Sequence, residues 1–289
     1  MKKRTYKRRR AFCIFLSLCA LLGAFGTLGA SAATAVTFPR GAVETPVTLN
    51  GEEVLDGECF RVDGVTYVPL RNFCNLFGKC EITWNGKTNT ATVKTDVLTL
   101  IAQTGNYYIY ANGHYLYTVG EVLNLNGSLY VPIRPMAQAF RANLSWNARE
   151  NRVDLNGKTG AAIAWAKYNA DEVYWLSRII SAEAKGEPFK GQIAVGNVVL
   201  NHVAHASYPN SIYGVIFDRK HGTQFSPVSF GTIYQAPTES AVIAAKICLE
   251  GYTLSDEILF FYNPRIATTN WIAKNRPYAF TIGNHRFYK

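Results

Sequence analysis

The stretch "NADEVYWLSRIISAEAKGEP", residues 169–188, reads as a helix with a built-in stop, and it carries one residue that a plain core helix would not. Asn169, with Glu172 three positions on, is a capping pattern that predicts a start near residue 170. Gly186 and Pro188 predict an end near 184. Val173, Leu176 and Ile180 recur at the i, i+3, i+7 spacing of a core-facing stripe, and Glu183 is the next position on it. Burying an unpaired carboxylate is costly. In the last turn the negative end of the helix dipole acts in the same sense as burial, and both raise the carboxyl's pKa. A carboxyl so placed can hold a proton near neutral pH and deliver it to a leaving group. Glu183 is therefore predicted to be a general acid. A structural Glu paired with Arg178, Lys185 or a later arginine is the alternative. Glu187, before a proline in a turn, reads as solvated or as part of a cleft mouth.

Downstream, "PFKGQIAVGNVVLNHVAH" predicts a second helix in which Ala194, Gly196 and Asn197 permit a close helix–helix approach while Ile193, Val199, Leu200 and Val203 pack. "SYPNSIYGVIFDRKHGTQFSPVSFGTI" reads as a long Pro-, Ser- and Gly-rich loop, and long loops in compact domains are often functional. "PTESAVIAAKICLEG" predicts a third helix from Pro237 to Gly251, with Cys248 on its packed side. "EILFFYNP" and "YAFTIGNHRFYK" read as short strands.

Taken in order, "SAEAKGEPFKGQIAVGNVVLNHV", "YPNSIYGVIFD", "QFSPV", "FYNP" and "IGNHRFY" resemble the SleB/CwlJ cell-wall hydrolase family, the spore cortex-lytic enzymes, over roughly residues 172–288. The resemblance implies an α+β, lysozyme-like fold and lytic cleavage of peptidoglycan between N-acetylmuramic acid and N-acetylglucosamine. The family's catalytic glutamate, in its EA(K/R)GEP motif, maps onto Glu183. One departure is Phe230, which stands in "SFG" where the family often has Asp or Asn before the glycine. Nor is the partner segment the small helical wall-binding repeat usual in germination enzymes.

Most glycosidases use two carboxyls flanking the scissile bond. A lytic transglycosylase needs one, because the sugar's own 6-hydroxyl is the nucleophile and the same glutamate serves as acid and then base. Asp218 is the candidate second carboxylate for a hydrolase, with a turn or cap role as its ordinary reading. Gln224 and Ser226, with Tyr262 and Asn263 opposite, are the expected hydrogen-bonding groups for sugar. Trp271 and Tyr278 offer flat faces, and His285 either orients a partner or satisfies the last hairpin. This scheme calls for no cofactor and no metal. A zinc amidase would draw on His202, His205, His221 and His285, yet their spacing is no zinc signature. A non-catalytic glycan-binding protein would not need a buried acid. A cysteine peptidase reading fails because Cys248 is late in its helix, away from the N-terminus that stabilises a thiolate.

The preceding half contains a duplication. "GVTYVPLRNFCNLFGKCEITWNGKTNTATV", residues 64–93, repeats as "GSLYVPIRPMAQAFRANLSWNARENRVDL", residues 127–155, aligning Arg71 with Arg134 and Trp84 with Trp146. Each unit predicts a strand ending at proline, a short helix and a hairpin. The pattern resembles the copper amine oxidase-like N-terminal domain of exported bacterial proteins, covering 42–156, and suggests a β-rich, duplicated α+β spacer or wall-binding module. Despite the family's name, the segment's lone histidine, His114, suggests surface or core rather than a copper ligand. Arg71 and Arg134 read as caps of the strand–helix junction or as polymer contacts. Residues 157–170 read as a linker turning helical toward its end, which leaves 171–289 as the hydrolase-like domain.

The first 32 residues look like an export signal. Seven basic residues precede a short apolar run and an "ASA" cleavage site. Without those seven, the chain's 30 basic residues fall to 23 against 20 acidic ones. No concentrated basic patch remains to support nucleic-acid binding. The mature chain is expected in the cell envelope or secreted, free of the membrane, with peptidoglycan glycan strands as its partner. Cys59, Cys74, Cys80 and Cys248 remain in it, and spacing fixes no pairing among them.

Overall fold

The structure is a computed structural model and describes residues 37–220 and 224–289, so the segment expected to be an export signal and His221 lie outside the described residues. The architecture is α+β. A β-rich half with two short helices precedes a half built on three packed helices and one small sheet.

The duplication is visible as a near-symmetric pairing. Strand Val65–Pro69 runs into helix α1 (Leu70–Leu76), and strand Ser128–Pro132 runs into α2 (Ile133–Ala139). The two strands pair antiparallel, with Val68 opposite Val131, Tyr67 opposite Pro132 and Pro69 opposite Tyr130. Proline fits there because it ends each strand and becomes the residue capping the helix, where a missing N–H costs nothing. Neither helix has a side-chain cap, so the expected capping role of Arg71 and Arg134 is not seen; both residues are exposed. The hairpin of the first unit (Glu81–Asn85 with Thr90–Lys94) begins a five-stranded antiparallel sheet that ends at His114–Tyr117. The second hairpin (Asn143–Asn147 with Arg152–Asn156) instead adds Val47–Leu49 in parallel.

Residues 157–168 are not helical. They turn once at Thr159–Gly160 and are fastened to the first half, in part through Asn112, whose amide donates to the Ile163 carbonyl at 2.8 Å and whose own carbonyl accepts from Ala166 N–H at 2.9 Å. The halves also touch directly. Tyr108 packs on Phe189 and Tyr117 on Tyr252, while His114 Nδ1 lies 2.7 Å from the Glu250 carboxylate and its Nε2 2.9 Å from the Ala164 carbonyl.

In the second half, helix α3 spans Ala170–Ala184, as the cap and stop residues predict; Asn169 Oδ1 accepts from Asp171 N–H and Glu172 N–H. Helix α4 is Phe189–Ala204. The expected long loop contains two short helices, α5 (Ile212–Ile216) and α6 (Ser226–Ser229). Ser211 caps α5, and Ile212, Val215 and Ile216 supply it with a buried i, i+3, i+4 face. Helix α7 is Glu239–Leu249, and α8 is Trp271–Asn275. Strands Phe260–Tyr262, His285–Tyr288 and Tyr278–Ile282 form an antiparallel sheet with His285–Tyr288 in the middle.

Helices α3, α4 and α7 share one core with Leu176, Ile179, Ile180, Val195 and Ile247 at its centre, each worth about 1.5–3 kcal/mol of burial. Gly196 sets their spacing. A Cβ there would stand 2.7 Å from Cys248 Sγ and 2.9 Å from Ile180 Cδ1, so only glycine admits this approach. Burial pushes the Cys248 thiol's pKa well up, which makes it a packing residue. The four described cysteines are free thiols.

Candidate active site

One face of α4 determines where the cleft is. Asn197, Asn201 and His202 lie along it, and each binds backbone far away in sequence. Asn197 Nδ2 donates to the Tyr252 carbonyl at 2.9 Å and its Oδ1 accepts from Leu254 N–H. Asn201 Nδ2 donates to the carbonyls of Ser255 and Ile258, and His202 Nε2 donates to that of Leu259 at 2.7 Å. Buried polar groups demand such partners, so this row of three draws residues 252–259 along α4. Strand Phe260–Tyr262 follows directly and forms one side of a cavity of about 1120 Å³.

Glu183, in the last turn of α3, lines that cavity with Gln224, Ser226, Tyr262, Asn263 and Trp271. It contributes the only carboxyl group to the wall among the described residues. Its side chain is mostly buried and forms no hydrogen bond or ion pair with a described residue. Arg178, one of the candidate partners, instead places its guanidinium 3.6 Å from the Tyr174 ring centroid. Burial pushes the Glu183 carboxyl from 4.5 up to about 7. Near neutral pH it exists in both forms, able to give up a proton and take one back.

The other walls are aromatic and apolar. Phe230, exposed at 78%, stands at the end of α6, and Phe260 and Trp271 face Arg276, whose guanidinium lies 4.5 Å from the Phe260 ring and 5.5 Å from the Trp271 ring. Arg276 is the one cation of the wall among the described residues. Sequence reasoning passed over it, and its only signal there was its place between two aromatic residues in "WIAKNRPY". His202 and His285 also reach the wall. Burial lowers both pKa values, that of His202 to about 4, so both rings are neutral. His202 is stacked on Tyr208 at 3.9 Å, and its protonated nitrogen is taken by Leu259. His205 Nδ1 accepts from Ser207 N–H. Among the described residues no three His, Cys, Asp or Glu side chains converge as a metal site would require.

Two expectations need correction, those for Tyr278 and Glu187, while Asp218 takes the turn role that was its ordinary reading. Tyr278 is not in the cavity wall. A bulge between Tyr278 and Phe280 breaks the strand's alternation, and Tyr278 turns edge-on to Tyr288 with its hydroxyl on Thr281. Asp218 is a turn residue outside the wall, its Oδ1 accepting from Lys220 N–H. Glu187 is half-buried and engaged. Its carboxylate accepts from Asn284 N–H at 2.8 Å and Asn284 Nδ2 at 3.1 Å, tying the α3–α4 junction to the turn that presents His285.

Residues 186–288 match the Cell Wall Hydrolase family, and residues 48–155 the copper amine oxidase N-terminal domain. Glu183 stands just before the first of these matched segments. Over 149 residues the chain is 34% identical to the spore cortex-lytic enzyme of Bacillus cereus, covering 52% of this chain and 55% of that protein. Over 120 residues it is 37% identical to the spore cortex-lytic enzyme of Bacillus subtilis strain 168, covering 42% and 38%. The chain thus spans about half, or less, of the length of these curated relatives. A solved structure of the catalytic domain of a germination-specific lytic transglycosylase, SleB from Bacillus anthracis, matches at 37% identity. That match covers 42% of this chain and 97% of that one, with a TM-score of 0.38.

Proposed function

We propose that this protein, whose C-terminal half carries a cell wall hydrolase domain behind a copper amine oxidase N-terminal domain, is an exported enzyme that cleaves the glycan strands of peptidoglycan as a lytic transglycosylase. The observation that carries the reading is Glu183. Among the described residues it is a lone, unpaired carboxyl, held near a neutral pKa by burial, in a cavity with aromatic walls and room for several sugar rings.

The chemistry follows from having one such group. The protonated Glu183 gives its proton to the oxygen linking N-acetylmuramic acid to N-acetylglucosamine, and the bond from that oxygen to the anomeric carbon breaks. The 6-hydroxyl of the muramic residue forms the new bond to the same carbon. Its proton passes to the Glu183 carboxylate, restoring the acid. No water enters, and the product ends in a 1,6-anhydro sugar. A hydrolase would need a second carboxylate to activate water, and Asp218 is elsewhere. Gln224, Ser226 and Asn263 would hold hydroxyl and N-acetyl groups, Trp271 and Phe230 would stack on ring faces, and Arg276 would meet an acidic substituent such as the lactyl carboxylate.

The test is clearing of purified peptidoglycan by the wild type and by Glu183→Gln, which keeps the shape and removes the titrating proton. The wild type should lyse the substrate and the variant should lose at least a hundredfold in rate, the span of general acid catalysis. Undiminished lysis by the variant would refute the role of Glu183.

A further inference from the structure

The two repeats of the β-rich half are alike in sequence but differ in what their signature residues face. A second cavity, of about 600 Å³, lies between that half and the end of α7, apart from the Glu183 wall. Arg134 and Trp146 of the second repeat line it, together with Arg61, while their first-repeat counterparts Arg71 and Trp84 do not. Arg61 is fixed in place: its Nη2 donates to Asn151 Oδ1 at 3.0 Å and its guanidinium lies 4.8 Å from the Trp146 ring centroid. Trp146 nonetheless stays 42% exposed, so a large part of the indole is open to a ligand.

The wall carries two guanidiniums, Arg61 and Arg134, and two carboxylates. Its acidic members are Asp63 and Glu250, and Glu250 is already engaged by His114 and by the Tyr168 hydroxyl. Arg134 is exposed and has no acceptor among the described residues. Two guanidiniums beside an open aromatic face suit a ring bearing an acid group, since arginine recognises carboxylates through its planar fork and indole stacks on the apolar face of a sugar. The volume lies within the roughly 300–1,000 Å³ usual for small-ligand sites.

We infer that this cavity is a second saccharide site, separate from the cleft at Glu183, which binds a carboxylate-bearing sugar of the wall polymer with Trp146 stacked on the ring and Arg134 and Arg61 on the acid group. The choice of polymer rests on the proposed function; the site itself does not require catalysis. The test is therefore made in Glu183→Gln, by co-sedimentation with purified peptidoglycan, before and after hydrofluoric acid strips phosphate-containing polymers from it. Adding Trp146→Ala or Arg134→Gln should weaken binding about tenfold, equivalent to about 1.4 kcal/mol. Adding Trp84→Ala or Arg71→Gln, the matched first-repeat changes, should leave it as it was. The active-site cleft contributes equally to all four variants, and circular dichroism melts establish that each is folded. Equal binding by all four would overturn the inference. Loss of the Trp146 and Arg134 effects after acid treatment would overturn the carboxylate assignment in favour of a phosphate polymer.

Discussion

Glu187 and Asn284 are 97 residues apart in sequence and share two hydrogen bonds, one from the Asn284 backbone and one from its side-chain amide. The pair fastens the start of α4 to the turn between the last two strands. Gly283 completes it, with φ +58 and no room for a Cβ against the Glu187 carboxylate and Pro188 Cδ. The turn in turn presents His285 to the cavity.

Glu187→Ala removes both acceptor bonds and leaves the turn free to move. Hydrogen bonds to charged groups are worth about 1.5–3 kcal/mol when buried, and this site is partly exposed, so a loss of about 2 kcal/mol is expected. The melting temperature should fall by about 5 °C. Because Glu187 is argued to position the wall and not to react, kcat should fall more than KM rises, and the pH profile should keep its shape. A shifted profile would make Glu187 a participant in the proton transfer.

The rate should follow the protonated fraction of Glu183. With its carboxyl near 7, cleavage should decline about tenfold per pH unit above that value and level off below it. Initial rates on purified peptidoglycan between pH 5 and 9 give the curve. A plateau reaching pH 9 would mean that the proton comes from elsewhere.

Stability carries the same signature with a definite sign. The folded-state pKa of Glu183 is raised above 4.5, so the native state binds this proton more tightly than the unfolded chain does. Its contribution is complete below 4.5 and is lost as pH rises through about 7, at a cost of about 3 kcal/mol. His202 acts in the opposite direction over a neighbouring window, because its pKa falls from 6.5 to about 4. Its contribution is complete above 6.5 and is lost as pH falls through about 4. Glu183→Gln should therefore raise the melting temperature at pH 8, by up to about 6–12 °C, and by much less at pH 4.5. Equal melting of variant and wild type at pH 8 would contradict a buried, uncompensated acid.

Gly196 tests the packing of the three helices. Gly196→Val would drive a side chain into Cys248 Sγ and Ile180 Cδ1, and overpacking of this kind costs about 1–3 kcal/mol or more. Chemical denaturation should show a lowered midpoint at an unchanged slope. Pairing it with Cys248→Ala, which vacates the site, should recover part of the loss.

Local signals made α3 legible in the sequence: the Leu176–Ile180 stripe lies within it, and Asn169 and the Gly186/Pro188 stop lie directly at its two ends. The repeat was legible for the same reason, through two copies of one short pattern. What escaped depends on distant partners. Nothing near Glu187 announces Asn284, and nothing in "GNVVLNHV" says that Asn197, Asn201 and His202 will each hold backbone more than fifty residues on. Helices α5 and α6 were hidden by Pro, Ser and Gly content that elsewhere means loop. Tyr278 was expected at the cleft for its flat ring alone, and nothing in the sequence marks the bulge beside it. Of the aromatic and amide groups expected around Glu183, Gln224, Ser226, Tyr262, Asn263 and Trp271 do share its cavity, while their contacts with sugar belong to the proposal.

The most direct measurement is the mass of the fragments released from purified peptidoglycan. Attack by the sugar's own hydroxyl predicts muropeptides ending in 1,6-anhydro-muramic acid, each lighter by one water than a hydrolytic product, and their absence from digests with Glu183→Gln. Reducing ends would show that water was the nucleophile, and freed stem peptides with intact glycan would contradict glycan cleavage altogether.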